Sequence, residues 1–317
     1  MTSDAASLLA QADPDVRAVL AELGDRSVSA GSLAQARLRP APVVALSDAV
    51  ERTDQVVPGP PGAPDIRLRV HRPRGADGSL PCVYSIHGGG YIMGSHLGDD
   101  ARFDRWCPAL SCVGVSVDYR LAPETPYPGP LEDCYAGLRW VHAHAAELGI
   151  DPARTGISGG SAGAGLAAGL ALLARDRGEL PVAFQALIYP MIDDRQVTVS
   201  SHAEVPVWPP ANNRFGWQSY LGDRYGTDDI PAYAAASRAG DLAGLPPAFV
   251  MVGTLDGFLD EDIDYARRLN AAGVPADLHV FAGAPHGFDS LMPGTAVAAR
   301  GRQVLEEWLG RQLRPGR

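Results

Sequence analysis

The chain has 317 residues, a formal charge of −10 and 46% hydrophobic residues. This is the make-up of a globular protein long enough to bury a large core, and neither a disordered chain nor a disulfide scaffold. The acidic balance argues against nucleic acid and anionic membrane as partners. No residue is lysine, which removes Schiff-base, P-loop, kinase and Ser-Lys chemistry in one step.

In chain order, the first forty-odd residues read as helical. Asp13 is placed to N-cap, Pro14 takes the first helical position, and Gly24 ends the helix behind Val16, Val19, Leu20 and Leu23. Met1 to Arg17 has no apolar core of a leader peptide, so no targeting signal is expected. A Pro/Gly-rich joint follows, from Pro58 to Pro64. Ile66, Leu68 and Val70 then alternate with charged residues as a half-buried strand. Buried strands are predicted at Cys82–Ile86 and Val113–Asp118, and a helix at Leu131–Leu148. Arg154–Ser158 is a short strand entering a Gly-rich turn and a helix, Ala162–Arg175. Strands at Phe184–Tyr189, Ala248–Gly253 and Leu278–Phe281 alternate with helices at Asp260–Ala272 and Ala296–Leu313. Such alternation predicts an α/β fold with a mostly parallel sheet covered on both faces.

Arg195 to about Asp229, with Trp208, Phe215, Trp217 and Tyr220, is too long for a plain connection. It reads as an insertion partnered by the N-terminal helices. The expected organisation is therefore cap helices over 1–45, core over 46–194 and 230–317, and a cap insertion over 195–229. Ala162 to Ala174 is the longest apolar run and too short to span a bilayer. Cys82, Cys107, Cys112 and Cys134 form no CxxC pair and no zinc spacing. They are expected reduced, in a cytoplasmic protein.

The chemistry starts from GxSxG, which occurs twice in overlap: Gly156 to Gly160 around Ser158, and Gly159 to Gly163 around Ser161. A nucleophile elbow needs a strand, a sharp turn and then a helix. Ser158 falls within the strand, whereas Ser161 falls at the turn, so Ser161 is the nucleophile candidate. The overlapping run Gly163-Ala-Gly165-Leu-Ala-Ala168 mimics a dinucleotide fingerprint. It lies inside the helix, however, and no acidic residue ends the next strand, so no nicotinamide or flavin is expected. His87-Gly88-Gly89-Gly90-Tyr91 follows a strand. Three consecutive glycines bring backbone N–H groups close to a ligand oxygen, as an oxyanion hole requires. His87 is read as a shaping residue.

A serine nucleophile needs a base, and the base an orienting acid. Of eight histidines, His142 and His144 are read as solvent-facing on their helix, and His71 and His279 as strand residues. His286 stands on a loop after the last strand. Asp256 follows the strand Ala248–Gly253; the rival acid, Asp260, is accounted for as a helix N-cap. The oxyanion glycines, Ser161, Asp256 and His286 all follow strand C-termini, the ligand-binding edge of open α/β sheets. Their order, Ser-Asp-His, is that of α/β-hydrolases.

On these residues the chain resembles the bacterial hormone-sensitive-lipase family of carboxylesterases. The carriers are His87 to Gly90, Asp118-Tyr-Arg-Leu-Ala-Pro-Glu124, Gly159-Gly-Ser-Ala-Gly163, Asp256 to Glu261, and His286-Gly-Phe288. The resemblance implies an α/β-hydrolase fold with an eight-stranded sheet and a helical cap. It implies Gly88, Gly89 and Ala162 as oxyanion donors, with Asp118–Glu124 buttressing the oxyanion loop. The sequence departs from the family where Gly160 replaces the usual Asp, Glu or Thr, Ala164 and Gly165 replace Gly and Asn, and Gly257 replaces Pro.

The expected function is hydrolysis of short- to medium-chain carboxylic esters through an acyl-enzyme, without cofactor or metal. Tyr91, Trp208, Phe215 and Trp217 are expected at the pocket wall, with Tyr220 beside them. The partner is a small-molecule ester, with a homodimer as an allowed assembly. Hydrolysis of a lactone, amide, carbamate or natural-product acetyl ester is the competing substrate reading. A ligand-binding relative that has lost its histidine is the competing class, and His286 stands against it.

Overall fold

The computed structural model describes residues 8–39 and 45–314. The first seven residues of the expected cap stretch and residues 40–44 lie outside them, as does the leader reading before Leu8. Eight strands form one sheet: β1 (Val50–Val57), β2 (Ile66–Pro73), β3 (Leu80–Ile86), β4 (Val113–Asp118), β5 (Ile150–Gly160), β6 (Gln185–Ile188), β7 (Ala248–Leu255) and β8 (Ala276–Pro285). Their spatial order is β1-β2-β4-β3-β5-β6-β7-β8. β1–β2 and β2–β4 are antiparallel; every later pair is parallel.

The helices are α1 (Pro14–Leu23), α2 (Leu33–Arg37), α3 (Asp100–Leu110), α4 (Gly129–Ala143), α5 (Ala145–Leu148), α6 (Ala162–Arg177), α7 (Pro210–Leu221), α8 (Leu259–Ala271), α9 (Phe288–Leu291) and α10 (Ala296–Gln312). They cover both faces of the sheet. Cys82, Tyr84 and Ile86 of β3 join Leu138 of α4, Leu170 of α6 and Leu269 of α8 in one core. Val83, on the opposite face, joins Phe103 and Trp106 of α3 and Trp308 of α10. The period-two alternation of a strand thus feeds two cores at once, which is why β3 reads as a continuous apolar run. Among the described residues no helix is long and apolar enough to cross a membrane.

β1, α3 and the one-turn α9 carry no sequence expectation. β1 is an edge strand buried only at its ends, so it lacks the alternation that marks a half-buried strand. α3 holds Pro108 and several charges, and buries only Phe103, Trp106 and Cys107. The helix expected over Leu131–Leu148 is broken at His144, between α4 and α5. His144 is not solvent-facing: its ring stacks on Trp140 at 4.2 Å and its Nδ1 lies 2.9 Å from the Trp140 carbonyl. His142 is half-buried as well, and burial pushes its pKa down.

The register fixes the functional edge. Ile86 pairs with Gly159, so the residues after β3 lie beside the turn after β5. Leu255 pairs with Pro285, so Asp256 and His286 each stand one residue beyond a paired position. The N-terminal segment is tied over this edge by two clamps. The Asn212 side chain on α7 accepts the Val28 N–H at 2.9 Å and donates to the Arg26 carbonyl at 2.9 Å. Arg37 donates to the Ile92 and Ala122 carbonyls and pairs in a fork with Glu124, at 2.6 and 2.7 Å.

Candidate active site

The chain turns sharply between β5 and α6. Ser161, at the N-cap of α6, sits at φ 58°, ψ −123°, a region that non-glycine residues rarely occupy. The surrounding backbone holds it there. Its N–H donates to Ile188, and its carbonyl accepts from Met191 and Gly165. A Cβ at Gly163 would lie 2.0 Å from the Ile86 carbonyl oxygen, and one at Gly159 would lie 2.3 Å from Gly163. The two motif glycines are therefore demanded by close backbone approach. Gly160 is not: a Cβ there would meet only the Tyr189 ring, at 3.7 Å.

The side chains of the three candidate residues converge. Ser161 Oγ lies 2.9 Å from His286 Nε2, and His286 Nδ1 lies 2.7 Å from Asp256 Oδ2. A carboxylate can only accept, so Nδ1 carries the proton and Nε2 is left to accept from the serine hydroxyl. Asp256 is held in turn by the Phe258 N–H on its other oxygen, at 3.1 Å. The rings of Tyr189 and Phe258 stand edge-on to His286, which keeps the imidazole in one plane. Ser158 is elsewhere: it is buried in β5 opposite Ser85, and its hydroxyl has no partner among the described residues.

The glycine loop lies against this turn. A Cβ on Gly88 would lie 2.6 Å from the Gly160 carbonyl and 3.4 Å from Ser161 Cβ. Gly89 and Gly90 have φ of 123° and 61°. Among the described residues, neither the Gly88 nor the Gly89 N–H donates to another protein group. Ala162 opens α6, where the first N–H groups have no partner within the helix. The His87 ring stacks on Tyr119 at 4.2 Å, and the Tyr119 hydroxyl donates to the His87 carbonyl at 2.9 Å. Tyr119 belongs to the Asp118–Glu124 stretch, so that stretch does support the loop from below. Burial pushes the His87 pKa down, which keeps its imidazole neutral.

A cavity of about 310 Å³ opens onto Ser161 and His286. Trp208 lines it, with its ring against Gly90. The other expected wall aromatics do not. Tyr91 is fully buried behind the loop, stacked on Tyr220 at 4.1 Å, with its hydroxyl on the Met191 carbonyl. Trp217 and Tyr220 are buried in the same cluster, and Phe215 packs against the core. Large rings are more efficiently buried as core than left at a solvent-filled wall. The wall is instead built from Val28, Met93, Val207 and Leu291, with Arg26 and Arg39. None of these carries a motif, so sequence reasoning has no handle on them. A second cavity of about 440 Å³, lined by Leu9, Leu20, Leu23 and Val205, adjoins the first and shares Arg26 and Val207 with it. A larger depression of about 1070 Å³, between Arg105, Arg154, Glu306 and Arg311, holds none of the site residues.

The rival acid has a different role from the expected one. Asp260 is not the N-cap of α8; Phe258 is. Asp260 accepts the Ser200 N–H at 2.9 Å, and Ser200 Oγ accepts the Asp260 N–H at 3.1 Å, tying the 195–229 stretch to α8. Two residues on, Asp262 is fully buried and neither carboxyl oxygen has a partner among the described residues. Burial, and the nearby Glu261 and Asp256, hold the Asp262 pKa well above the usual carboxylate range. An acid whose pKa rises on folding stabilises the fold fully only below its unfolded pKa. That contribution is lost as pH climbs toward the folded pKa. Asp262→Asn, which stays neutral, is therefore expected to raise Tm relative to wild type by a margin that widens from pH 4.5 to pH 8. Thermal melts across that range would expose a pH-independent margin, which contradicts the assignment.

Among the described residues no cluster of His, Cys, Asp and Glu could hold a metal ion. The profile of a family described as alpha/beta hydrolase fold matches residues 83–290. The chain is 37% identical to Carboxylesterase NlhH of Mycobacterium tuberculosis over 266 residues, covering 81% of this chain and 83% of that protein. It superposes on the structure of a bacterial heroin esterase with a TM-score of 0.91 at 40% identity, covering 96% of this chain and 99% of the other. The esterase LipW from Mycobacterium marinum superposes with a TM-score of 0.85 at 33% identity, covering 97% and 98%.

Proposed function

This chain belongs to the hormone-sensitive-lipase family of α/β-hydrolases and is a carboxylic ester hydrolase, and we propose that it hydrolyses short- to medium-chain esters through Ser161, His286 and Asp256. The observation that carries the reading is the unbroken chain from Ser161 Oγ through His286 to Asp256, at 2.9 and 2.7 Å, on the wall of a cavity.

Ser161 Oγ attacks the ester carbonyl carbon while His286 Nε2 takes its proton. The tetrahedral oxyanion is received by the N–H groups of Gly88, Gly89 and Ala162. Collapse breaks the C–O bond, and the leaving alcohol takes the proton from Nε2. Water then attacks the acyl-enzyme, gives its proton to Nε2, and the acid is released as Ser161 recovers its hydrogen. Asp256 holds the Nδ1–H tautomer and stabilises the imidazolium.

A cavity of about 310 Å³ supports acyl groups of short to medium length. The 195–229 stretch and the N-terminal segment, joined through Asn212, act as its cap. Four free and buried cysteines accord with a reducing compartment, the cytoplasm.

The test is a p-nitrophenyl ester series from acetate to palmitate, with titration by a serine-directed phosphonate. Turnover concentrated on the shorter chains, with one phosphonate bound per chain at Ser161, is the expected result. No turnover and no stoichiometric labelling would end the reading.

A further inference from the structure

We propose that Arg26 and Arg39 form an anion subsite at the rim of the catalytic cavity, so that the preferred ester carries a second, ionised carboxylate. The inference rests on the ester-hydrolase reading above and deepens it. Both side chains line the cavity that holds Ser161 and His286. Among the described residues, neither side chain forms an ion pair or a hydrogen bond, although the protein carries a net charge of −10.

The third arginine of the cavity differs. Arg102 is spent on Asp99, at 3.1 Å, with Asp289 at 3.8 Å, so that corner is already neutralised. Asp25 lies near Arg39 but is fixed on the Ser27 N–H, at 2.8 Å, and does not line the cavity. The backbone that carries the two cations is anchored close to each of them. Asn212 grips the backbone at Arg26 and Val28, and Arg37, two residues before Arg39, is locked to Ile92, Ala122 and Glu124.

Placing two like charges at one rim is unfavourable unless something offsets it; burial and, after it, the charge of Arg39 lower the pKa of Arg26. A carboxylate bridging the two guanidiniums would offset it through charge-assisted hydrogen bonds. The bond broken is unchanged: water still adds across the ester.

The carboxylate could sit on either side of the scissile bond, and two substrate pairs separate the cases. On the acyl side, mono-4-nitrophenyl glutarate is compared with its methyl ester. On the alcohol side, 4-acetoxybenzoate is compared with 4-acetoxybenzamide. The readout is the ratio of kcat/KM, anionic over neutral, within each enzyme. In wild type one pair should favour the anion by about five- to tenfold, a size set by partial exposure of the rim. The preference should shrink at high salt. In Arg26→Gln/Arg39→Gln it should fall to near one, and in the exposed control Arg67→Gln it should persist. A wild-type ratio at or below one in both pairs, or an unchanged ratio in the double variant, would overturn the subsite. If wild type turned over neither neutral ester and took up no phosphonate, the hydrolase reading itself would fall, and the subsite with it.

Discussion

Ser161→Ala should lower kcat/KM on p-nitrophenyl butyrate by about 10⁵- to 10⁶-fold, because serine and histidine act as one unit and removing either removes nucleophilic catalysis. The overlapping motif supplies the control. Ser158→Ala removes a buried hydroxyl that has no partner among the described residues, so it should leave turnover near wild type and stability unchanged or improved. Asp256→Asn gives the intermediate case, a loss of about 10⁴-fold. The amide can donate to Nδ1, and the tautomer that leaves Nε2 free to accept is no longer enforced. Steady-state kinetics of the three purified variants, with a thermal melt for each, checks the set. Full activity in Ser161→Ala, or equal losses at Ser158 and Ser161, would remove the elbow assignment.

The second large effect concerns a residue with no side chain. Gly163→Ala is expected to cost about 100- to 1000-fold in kcat, the size associated with losing an oxyanion donor. The added Cβ would press into the Ile86 and His87 carbonyls, at 2.0 and 2.5 Å, directly before Gly88 and Gly89. Those backbone oxygens have no rotamer to escape into, so the whole loop must shift. Overpacking of this kind also destabilises by about 1–3 kcal/mol, partly offset by the roughly 1 kcal/mol that alanine gains over glycine in a helix. Gly160→Ala is the matched control, since its Cβ would find ordinary contact with Tyr189 at 3.7 Å. Wild-type kcat in Gly163→Ala would show that the loop position is not set by this contact.

The sequence carries the functional edge because that edge is built from backbone demands. The glycines at 88, 89, 159 and 163 are forced by approach distances or by φ, and such constraints leave fixed letters. Asp256 and His286 are legible as candidates because each follows a strand, and the strands advertise themselves as apolar runs. The wall of the cavity left no such record. Val28, Val207 and Leu291 are there through the path of the chain, and any apolar residue of similar size would serve. The aromatic cluster misled for a related reason: Tyr91, Trp217 and Tyr220 are large because they fill a core behind the loop, and composition cannot tell a core ring from a wall ring. β1 and α3 were missed because one is mostly exposed and the other is interrupted by Pro108, so neither shows a clean period.

The shared wall between the two cavities bears on how such an enzyme changes its diet. Val207 stands in that wall at φ 72°, a conformation that costs a β-branched residue energy and a glycine almost none. Together with Arg26, that side chain stands between the proposed reaction chamber and the second cavity, and its own backbone would readily give it up. Exchanging that valine for glycine would relieve backbone strain and thin the wall toward the cavity of about 440 Å³ lined by Leu9, Leu20 and Leu23. On the proposed reading, room for longer chains is then opened by a substitution that touches none of the proposed catalytic residues.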